Sequence, residues 1–290
     1  MATIRKPILV TGSHRSGTSW VGRCLNASPD TGFIWEPFSR SYRPPFMDPP
    51  APCWYLYVAA HNSEQWRGPI TETMAFRYPL LRKLRYARSL RDVGRGLRDW
   101  WLTGKLRAAN PRPLLKDPFA LYSSAWFADT FGADIIVTIR HPAGFVSSIM
   151  AKTTAKLFQD FLDQPALMDS LLADFRDDVE AALRDELSPL HRGALLWNLT
   201  YAFVAKERQA GRPWHFLRHE DIAHDAVGHF RPLYEALELA FTPEVEADIR
   251  QRTRPDTTRN WKSRLDDGQV AEIKALTEPH WRSFYTDSDW

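Results

Sequence analysis

One ten-residue stretch, TGSHRSGTSW at residues 11–20, limits what this chain can fold into more than any other feature. An apolar run over residues 4–10 precedes it and predicts a buried strand, and residues 21–26 after it have the apolar spacing of a helix. Gly12 and Gly17 allow a tight turn between the two elements. This order of elements predicts an anion site, because the first amides of a helix are unpaired and its N-terminus carries about half a positive charge.

The side chains of this loop suit the same anion. The hydroxyls of Thr18 and Ser19 can donate to phosphate oxygens, and the planar guanidinium of Arg15 can pair with them. The spacing from Gly12 to Gly17 matches the phosphate loop of nucleotide hydrolases, but Thr18 stands where those enzymes place a lysine. The alternative is a glycine–serine turn that only begins a helix.

A second candidate anion site begins at Arg140. The strand predicted over residues 133–140 is β-branched and ends in this arginine, and Pro142 suits the first turn of the helix that follows. Ser148 lies two turns into that helix, where its hydroxyl can turn back toward the end of the strand. An arginine and a serine that converge in this way can clamp a phosphate.

Predicted strands alternate with helices along the whole chain, which favours an α/β fold with a central parallel sheet flanked by helices. No repeat, low-complexity tract or interdomain linker interrupts the sequence. We therefore expect a single domain over residues 1–290, with a helical, basic insertion at about 53–110. The strands are predicted over residues 4–10, 32–35, 113–118, 133–140 and 214–218.

The loop at residues 11–20 and its early cation resemble the 5′-phosphosulfate-binding loop of sulfotransferases that use 3′-phosphoadenylyl sulfate (PAPS). Arg140 and Ser148, eight residues apart, resemble the element that holds the 3′-phosphate of PAPS in that family. Residues 33–38 and 115–118 are similar to segments of its bacterial and carbohydrate members. Residues 217–221 resemble the family's R-Y-E-D strand end, with His219 in place of tyrosine, and residues 259–262 resemble its C-terminal loop over the nucleotide.

The resemblance implies a P-loop-like sulfotransferase fold and a transfer of a sulfuryl group from PAPS to a hydroxyl of an acceptor. It favours a glycan or glycolipid as that acceptor and leaves a small metabolite open. It also implies which residues bind PAPS: Ser13, His14, Arg15, Ser16, Gly17, Thr18, Ser19, Arg140, Ser148, Trp261 and Lys262.

Three residues are candidates for the chemistry itself. Glu36 follows a predicted strand and precedes Pro37, so its carboxylate borders the crevice at the carboxyl ends of the strands, where a general base is needed. Arg15 would stabilise the charge that develops on the leaving phosphate. Lys116 is a second candidate cation, or else forms a surface salt bridge with Asp117. Glu36 can alternatively be a capping or salt-bridged residue, with His14 and His141 as the next candidates for the base.

Composition limits which metal sites, reaction classes and cellular locations the sequence allows. Two cysteines supply neither a disulfide framework nor a zinc-ligand pattern, and no acidic residue ends the strand at 134–140 as a magnesium-binding aspartate would. We therefore expect no metal, which disfavours a small-molecule kinase. A non-catalytic nucleotide-binding protein is the third hypothesis. No secretory leader or membrane-spanning run is evident, which predicts a cytoplasmic protein.

Charge is concentrated in one segment. Residues 77–112 carry eleven Lys and Arg against two Asp, a net charge of +9 in a chain whose total is +3. Helical spacing there predicts an apolar face made of Tyr86, Leu90, Val93, Leu97 and Trp100, with arginines 88, 91, 95 and 98 opposite. The basic face is either solvated or a surface for an anionic glycan or acidic lipids, which would give peripheral membrane contact. No nucleic-acid module accompanies it, so nucleic acid is not an expected partner.

Overall fold

A computed structural model describes residues 4–42, 45–150, 152, 156–254 and 258–290. Its centre is a sheet of five parallel strands in the order β2-β3-β1-β4-β5. The strands are β1 (Ile8–Gly12), β2 (Thr31–Trp35), β3 (Arg112–Lys116), β4 (Asp134–Ile139) and β5 (His215–Arg218).

Helices connect these strands and cover the sheet. They are α1 (Thr18–Leu25), α2 (Ser63–Met74), α3 (Leu80–Leu84), α4 (Leu90–Ala109), α5 (Ser124–Phe131), α6 (Pro142–Ile149), α7 (Lys156–Leu162), α8 (Pro165–Ser170), α9 (Arg176–Leu183), α10 (Pro189–Gln209), α11 (His219–His224), α12 (Ala226–Ala236), α13 (Pro243–Arg252) and α14 (Asp267–Trp281). Short 3₁₀ helices occupy Pro118–Ser123, Ala173–Phe175, Asn260–Ser263 and Asp287–Asp289.

The sheet separates two hydrophobic cores, because successive side chains of a strand point to opposite faces. Leu9, Leu115 and Ile135 pack on the face covered by α5, α6 and α10. Ile8 and Leu114 pack on the other face with side chains of α1, α12 and α13. Helices on both faces are what parallel strands require, since such strands are buried on both sides. The predicted α/β fold is confirmed.

The register of the sheet places the carboxyl ends of the strands side by side. Gly12 is paired with Thr138, Trp35 with Lys116, and Ile139 with Arg218. All five strands run the same way, so the segments that follow them open onto one edge of the sheet. Ligands of open α/β sheets bind at this edge.

Two predicted elements differ from the structure. The helical pattern expected from Cys53 is wrong for its first part, because the helix begins only at Ser63, after an irregular segment with buried Cys53 and Tyr55. The sequence near the end of the chain predicts only short helices, but α14 is 15 residues long and begins with a capping box of Asp266 and Gln269. The basic loop predicted before Trp261 includes residues 255–257, which lie outside the described residues.

The orientation of α4 also contradicts the expected amphipathic packing. Its buried residues are Asp92, Gly96 and Asp99, whereas Leu90 and Trp100, expected on the core side, are exposed. Asp99 accepts a hydrogen bond of 2.8 Å from the hydroxyl of Tyr42, which fixes the polar side of the helix to the protein. Among the described residues, no helix combines the length and apolar character needed to cross a membrane.

Gly12 is where the chain leaves β1, with φ of 143°, and a Cβ at this position would lie 2.6 Å from both the carbonyl and the hydroxyl oxygen of Thr138. We expect Gly12→Ala to destabilise the protein by about 2–4 kcal/mol, through backbone strain and steric overlap. Gly94→Ala is the matched control, since a Cβ there meets open space in a helix, and it should stabilise by about 1 kcal/mol. Urea unfolding of both variants measures the difference, and equal effects would contradict this account.

Candidate functional site

The loop between β1 and α1 forms one wall of a cavity of about 440 Å³ at the carboxyl edge of the sheet. Residues that follow β2, β3, β4 and β5 supply the other walls. The cavity is lined by His14, Arg15, Gly17, Thr18, Ser19, Trp20, Glu36, Lys116, Pro118, Arg140 and His219. It therefore brings together most of the residues that the sequence singled out.

The N-terminus of α1 points at this cavity without a side-chain cap. Gly17 is the N-cap residue, with φ of 100°, and no side chain bonds to the first turn, which also holds no acidic residue. The first amides of a helix have no partner within the helix. An anion in the cavity would thus meet unpaired amides and the positive end of the helix dipole.

Ser13 and Ser16 build the loop and do not line the cavity. Both are fully buried. The hydroxyl of Ser16 donates to the carbonyl of Ser13 and bonds with the hydroxyl of Thr138 on β4, with 2.6 Å between the two oxygens. The Ser13 hydroxyl lies 3.2 Å from the hydroxyl of Tyr55. These contacts tie the loop to the sheet and to the segment after β2.

His14 lines the cavity as a neutral ring. Its Nδ1 lies 2.6 Å from the Tyr55 hydroxyl, and the ring stacks against Phe119. Burial, aided by the charges of Arg15 and Lys152, lowers the pKa of His14 to about 4. The imidazole is therefore uncharged at neutral pH, and its contact with Tyr55 fixes its orientation.

Arg140 reaches the same cavity from the end of β4. Its Nη1 donates to the carbonyl oxygen of Arg15 at 2.5 Å, so the two arginines that the sequence predicts as anion-binding residues are adjacent. The Nε atom of Arg140 is buried and has no hydrogen-bond partner among the described residues. Burial lowers the pKa of the guanidinium, which an anion beside it would counteract.

The backbone around Arg140 is held from several directions. Its amide donates to the hydroxyl of Tyr201 at 3.2 Å, and its carbonyl accepts from the indole of Trp197 at 2.9 Å. The next amide, of His141, donates to Glu220 at 3.0 Å, and Tyr285 donates to the other oxygen of that carboxylate. This network fixes the position from which the Arg140 side chain extends.

Glu36 and Lys116 form a buried ion pair on the opposite wall of the cavity. The Lys116 side chain is only 2% exposed, its ammonium donates to Oε1 of Glu36, and it lies 4.2 Å from the centre of the Trp35 ring. Glu36 has a φ of 40°, a left-handed conformation that is uncommon for a glutamate. The carboxylate thus borders the cavity, as expected, and is also salt-bridged.

The surface salt bridge considered for Lys116 and Asp117 does not form. Asp117 is buried, and its carboxylate accepts the amides of Phe38 at 2.6 Å and Phe119 at 2.9 Å. Burial raises the pKa of Asp117 to about 7. Asp117 therefore fixes the loop that follows Glu36, while Lys116 turns to the cavity.

A second cavity of about 560 Å³ shares residues with the first. Ser19, Trp20 and His219 line both, and three arginines surround the second at Arg23, Arg252 and Arg254. The ring of Trp20 meets that of His219 edge-on, with 5.5 Å between their centres. The indole Nε1 of Trp20 and the Nδ1 of His219 are buried without a hydrogen-bond partner. The two adjacent cavities share these lining residues and both carry arginines, and together they are called the basic recess.

Three predicted nucleotide-binding residues do not line either cavity in the described part of the chain: Ser148, Trp261 and Lys262. The hydroxyl of Ser148 donates to the carbonyl of Phe145 in its own helix at 2.8 Å. Trp261 is buried beside Gly144, close to the Arg140 side chain, whereas Lys262 is exposed. Their predicted contacts with a nucleotide stay predictions.

His141 lies in an aromatic cluster. Its ring stacks on Trp261, with the centres 5.3 Å apart and the planes at 7°, and meets Trp290 at 4.4 Å. Both ring nitrogens are buried without a partner in the part of the chain that the structure describes, and burial lowers the pKa of His141 to about 3. The imidazole packs as an apolar ring in this structure.

Sequence reasoning passed over three residues that shape the site. The sequence carries a local signal for two of them, because Trp20 ends the loop at residues 11–20 and His219 stands where the family has a tyrosine. Tyr55 holds Ser13 and His14 from more than forty positions away. Nothing in the pattern around Tyr55 indicates this contact, which depends on how the irregular segment packs.

The family model described as "Sulfotransferase family" matches residues 7–243. This range includes all five strands and both arginines of the cavity, so the chain belongs to the sulfotransferase family. The predicted resemblance is confirmed at this level. A search among curated proteins returns no match.

Solved sulfotransferase structures resemble the chain at low identity. The crystal structure of sulfotransferase STF9 from Mycobacterium avium is 13% identical, with 99% of this chain and 78% of that chain covered and a TM-score of 0.47. The sulfotransferase domain from the curacin biosynthetic pathway is 12% identical, with 95% and 99% covered and a TM-score of 0.48. The domain from the Synechococcus PCC 7002 olefin synthase is 11% identical, with 96% and 97% covered and a TM-score of 0.45. The family assignment rests on the family model and not on these scores.

Within the described ranges, no group of three or more His, Cys, Asp or Glu side chains is arranged to hold a metal ion. The charged side chains that line the first cavity are Arg15, Glu36, Lys116 and Arg140. Their three positive charges exceed the single negative one, which makes this cavity suited to an anion.

The pKa of His141 predicts a pH dependence of stability. The unfolded chain binds a proton on this ring below about pH 6.5 while the folded protein does not, so acidification favours unfolding. Between pH 7 and pH 5 we expect His141 to contribute a loss of about 2 kcal/mol, and His141→Phe to abolish that part. Urea unfolding at the two pH values measures it. The exposed His229→Phe is the control, and a His141→Phe variant with the wild-type pH dependence would contradict the prediction.

Proposed function

We propose that the protein transfers a sulfuryl group from PAPS to a hydroxyl of an acceptor. The observation that carries this proposal is the convergence of Arg15, Arg140 and the uncapped N-terminus of α1 on one cavity. Membership of the sulfotransferase family supports the reaction class. The donor, the acceptor and the base are our proposals.

The recess offers two places for phosphate groups. The 5′-phosphosulfate would lie at the N-terminus of α1, between the amides of the first turn and Arg15. The 3′-phosphate would pair with Arg140, whose Nε is buried and unpartnered. Trp20 and His219 line both cavities, and their rings can contact the adenine, which the ribose carries beside its two phosphates.

The chemical step follows from the charges in the cavity. The acceptor hydroxyl attacks sulfur in line with the leaving phosphate, its proton passes to Glu36, and a new O–S bond forms as the S–O bond to the 5′-phosphate breaks. The electron pair of that bond goes to the phosphate oxygen, which yields adenosine 3′,5′-bisphosphate. Arg15 and the helix amides stabilise this oxygen because they are fixed in place before charge develops.

The ion pair of Glu36 and Lys116 has a role in this proposal. Lys116 donates to the Glu36 carboxylate and holds it at the cavity, and the ammonium itself lines the cavity where the transferred group would lie. When Glu36 is protonated, Lys116 loses its partner and becomes available to the negative charge that moves toward the phosphate. A buried ammonium without a partner is energetically costly, so an interaction of Lys116 with the negative charge on the phosphate is favoured.

The acceptor class stays a prediction, with a glycan or glycolipid favoured and a small metabolite open. The cytoplasmic location also stays a prediction. Pro118 and His14 line the cavity beside Glu36, so the acceptor enters next to an apolar and a neutral aromatic side chain. A screen of hydroxyl acceptors with isotopically labelled PAPS, read by mass spectrometry, identifies the class.

Nucleotide preference tests the donor. We expect adenosine 3′,5′-bisphosphate to raise the melting temperature, and ATP with magnesium or adenosine 5′-monophosphate to raise it far less, because only the first has a 3′-phosphate for Arg140. A ligand at about 100 times its Kd stabilises by about 2.7 kcal/mol, which a thermal shift assay resolves. Arg140→Gln should remove the preference for the 3′-phosphate, while Arg212→Gln, remote from the cavity and exposed, should keep it. Equal shifts with ATP and magnesium would favour a kinase instead.

Substitution of the carboxylate tests the base. We expect Glu36→Gln to lower the transfer rate by about 10²–10⁴, the usual loss for a general base, and to leave binding of adenosine 3′,5′-bisphosphate within a few-fold of wild type. The rate is measured in single turnover with an acceptor from the screen.

Glu207→Gln is the matched control for this change. Glu207 is also partly buried and paired with an arginine, Arg212 at 3.0 Å, but lies away from the cavity. It should transfer at the wild-type rate. If Glu36→Gln does so as well, the base is another residue, and His14, which lines the same cavity, is the next to test.

A further inference from the structure

The exposed apolar side chains of this protein are concentrated on one element. Among the described residues, the large hydrophobic side chains that are exposed are Leu81 on α3 and five residues on α4. Those on α4 are Leu90, Leu97, Trp100, Trp101 and Leu102. Single exposed apolar residues are common on protein surfaces, but clusters of them mark interaction sites. The helix α4 is therefore a candidate docking surface.

The outward side of α4 is an apolar stripe. Leu90 is 90% exposed, Leu97 48% and Trp101 54%. Spacings of seven and four residues place these three side chains on one side of a helix. The opposite side, with Asp92, Gly96 and Asp99, is buried against the protein. The helix thus turns its apolar residues away from the core.

Cations border this stripe along the helix. Three exposed cations lie at seven-residue spacing, at Arg91, Arg98 and Lys105. Because a seven-residue step is two helical turns, they form a row beside the stripe, one position after Leu90 and Leu97. The two acidic residues of α4 lie beneath the helix, where Asp99 accepts hydrogen bonds from Arg98 and Tyr42. The outer surface of α4 is therefore apolar in the middle and positively charged beside it.

We propose that α4 docks this protein on anionic lipid membranes, lying in the plane of the interface. Leu90, Leu97 and Trp101 enter the boundary of headgroups and acyl chains, while Arg91 and Lys105 pair with lipid phosphates and carboxylates. Helices that bind in this way have one apolar face, cationic residues at its border and aromatic residues at the depth of the headgroups. The charges of α4 exclude a position across the membrane.

Charge decides between a membrane and a second copy of this chain. A symmetric dimer through the stripe would bring Arg91 and Lys105 of both copies close together. Asp99 is already paired with Arg98 on the buried side of the helix. Like charges in contact oppose such an interface. An anionic bilayer instead complements the cations and accepts the apolar side chains at once.

Binding of the full chain to vesicles tests the proposal. We expect sedimentation with phosphatidylcholine vesicles that contain about 30% phosphatidylserine, much weaker binding to phosphatidylcholine alone, and release at high salt. Leu90→Ser/Leu97→Ser/Trp101→Ser should lower the partition coefficient at least about tenfold, because the apolar contribution is lost. The substituted residues are exposed, so circular dichroism and the melting temperature should stay as in wild type.

A pair of charge variants separates α4 from the net charge of the protein. Arg91→Glu/Lys105→Glu should also lower binding at least about tenfold. Arg67→Glu/Lys206→Glu changes the net charge by the same amount at exposed positions off this helix and should bind within about twofold of wild type. Equal losses in the two variants would overturn the assignment to α4.

A fluorescent label reports insertion directly. Cys24 and Cys53 are buried, so a cysteine introduced as Leu97→Cys takes an environment-sensitive dye selectively. Its emission should shift to the blue on anionic vesicles, and a dye at Arg67→Cys should not. Three results overturn the proposal: no binding at low salt, binding that survives the triple serine substitution, or a dimer in solution that the same substitution dissociates.

Discussion

The parallel register of the sheet is the constraint on which the site depends. Each strand ends within a residue or two of its neighbour, with Gly12 beside Thr138 and Trp35 beside Lys116. The loop after β1 is then fixed to β4 by the hydroxyls of Ser16 and Thr138. Because this bond joins residues more than a hundred positions apart, the loop between β1 and α1 has its shape only when the sheet has formed.

On the wall opposite the loop, the charged side chain of Lys116 is buried. Lys116 is almost fully inaccessible to water, and Glu36 supplies the negative charge that makes its burial tolerable. The pair exists because β2 and β3 are neighbours whose ends coincide. It places a carboxylate and an ammonium on the same cavity as Arg15.

The helix α4 is connected to this wall through one short segment. Tyr42, six residues after Glu36, bonds to Asp99 on the buried side of α4, and Arg95 lies over the Tyr42 ring. The same segment begins at Phe38, whose amide bonds to Asp117. The buried side of α4 and the candidate base are thus attached to opposite ends of one irregular stretch of chain.

Local patterns in the sequence determined the order of strands and helices, the glycine-containing loop after β1 and the arginine at the end of β4. Each of these depends on neighbouring residues: apolar runs, glycines at a turn, a proline at a helix start. Pairings between distant residues were decided by the tertiary structure alone. The sequence placed Lys116 next to Asp117, but the register of β2 and β3 gives it Glu36, and the packing of an irregular segment gives His14 its contact with Tyr55. Periodicity likewise indicated that Leu90 and Leu97 share a face of α4, although Arg91 and Arg98, expected opposite them, border the same outward stripe. It could not show which face points outward, because that depends on the buried acidic residues and their partners elsewhere in the chain.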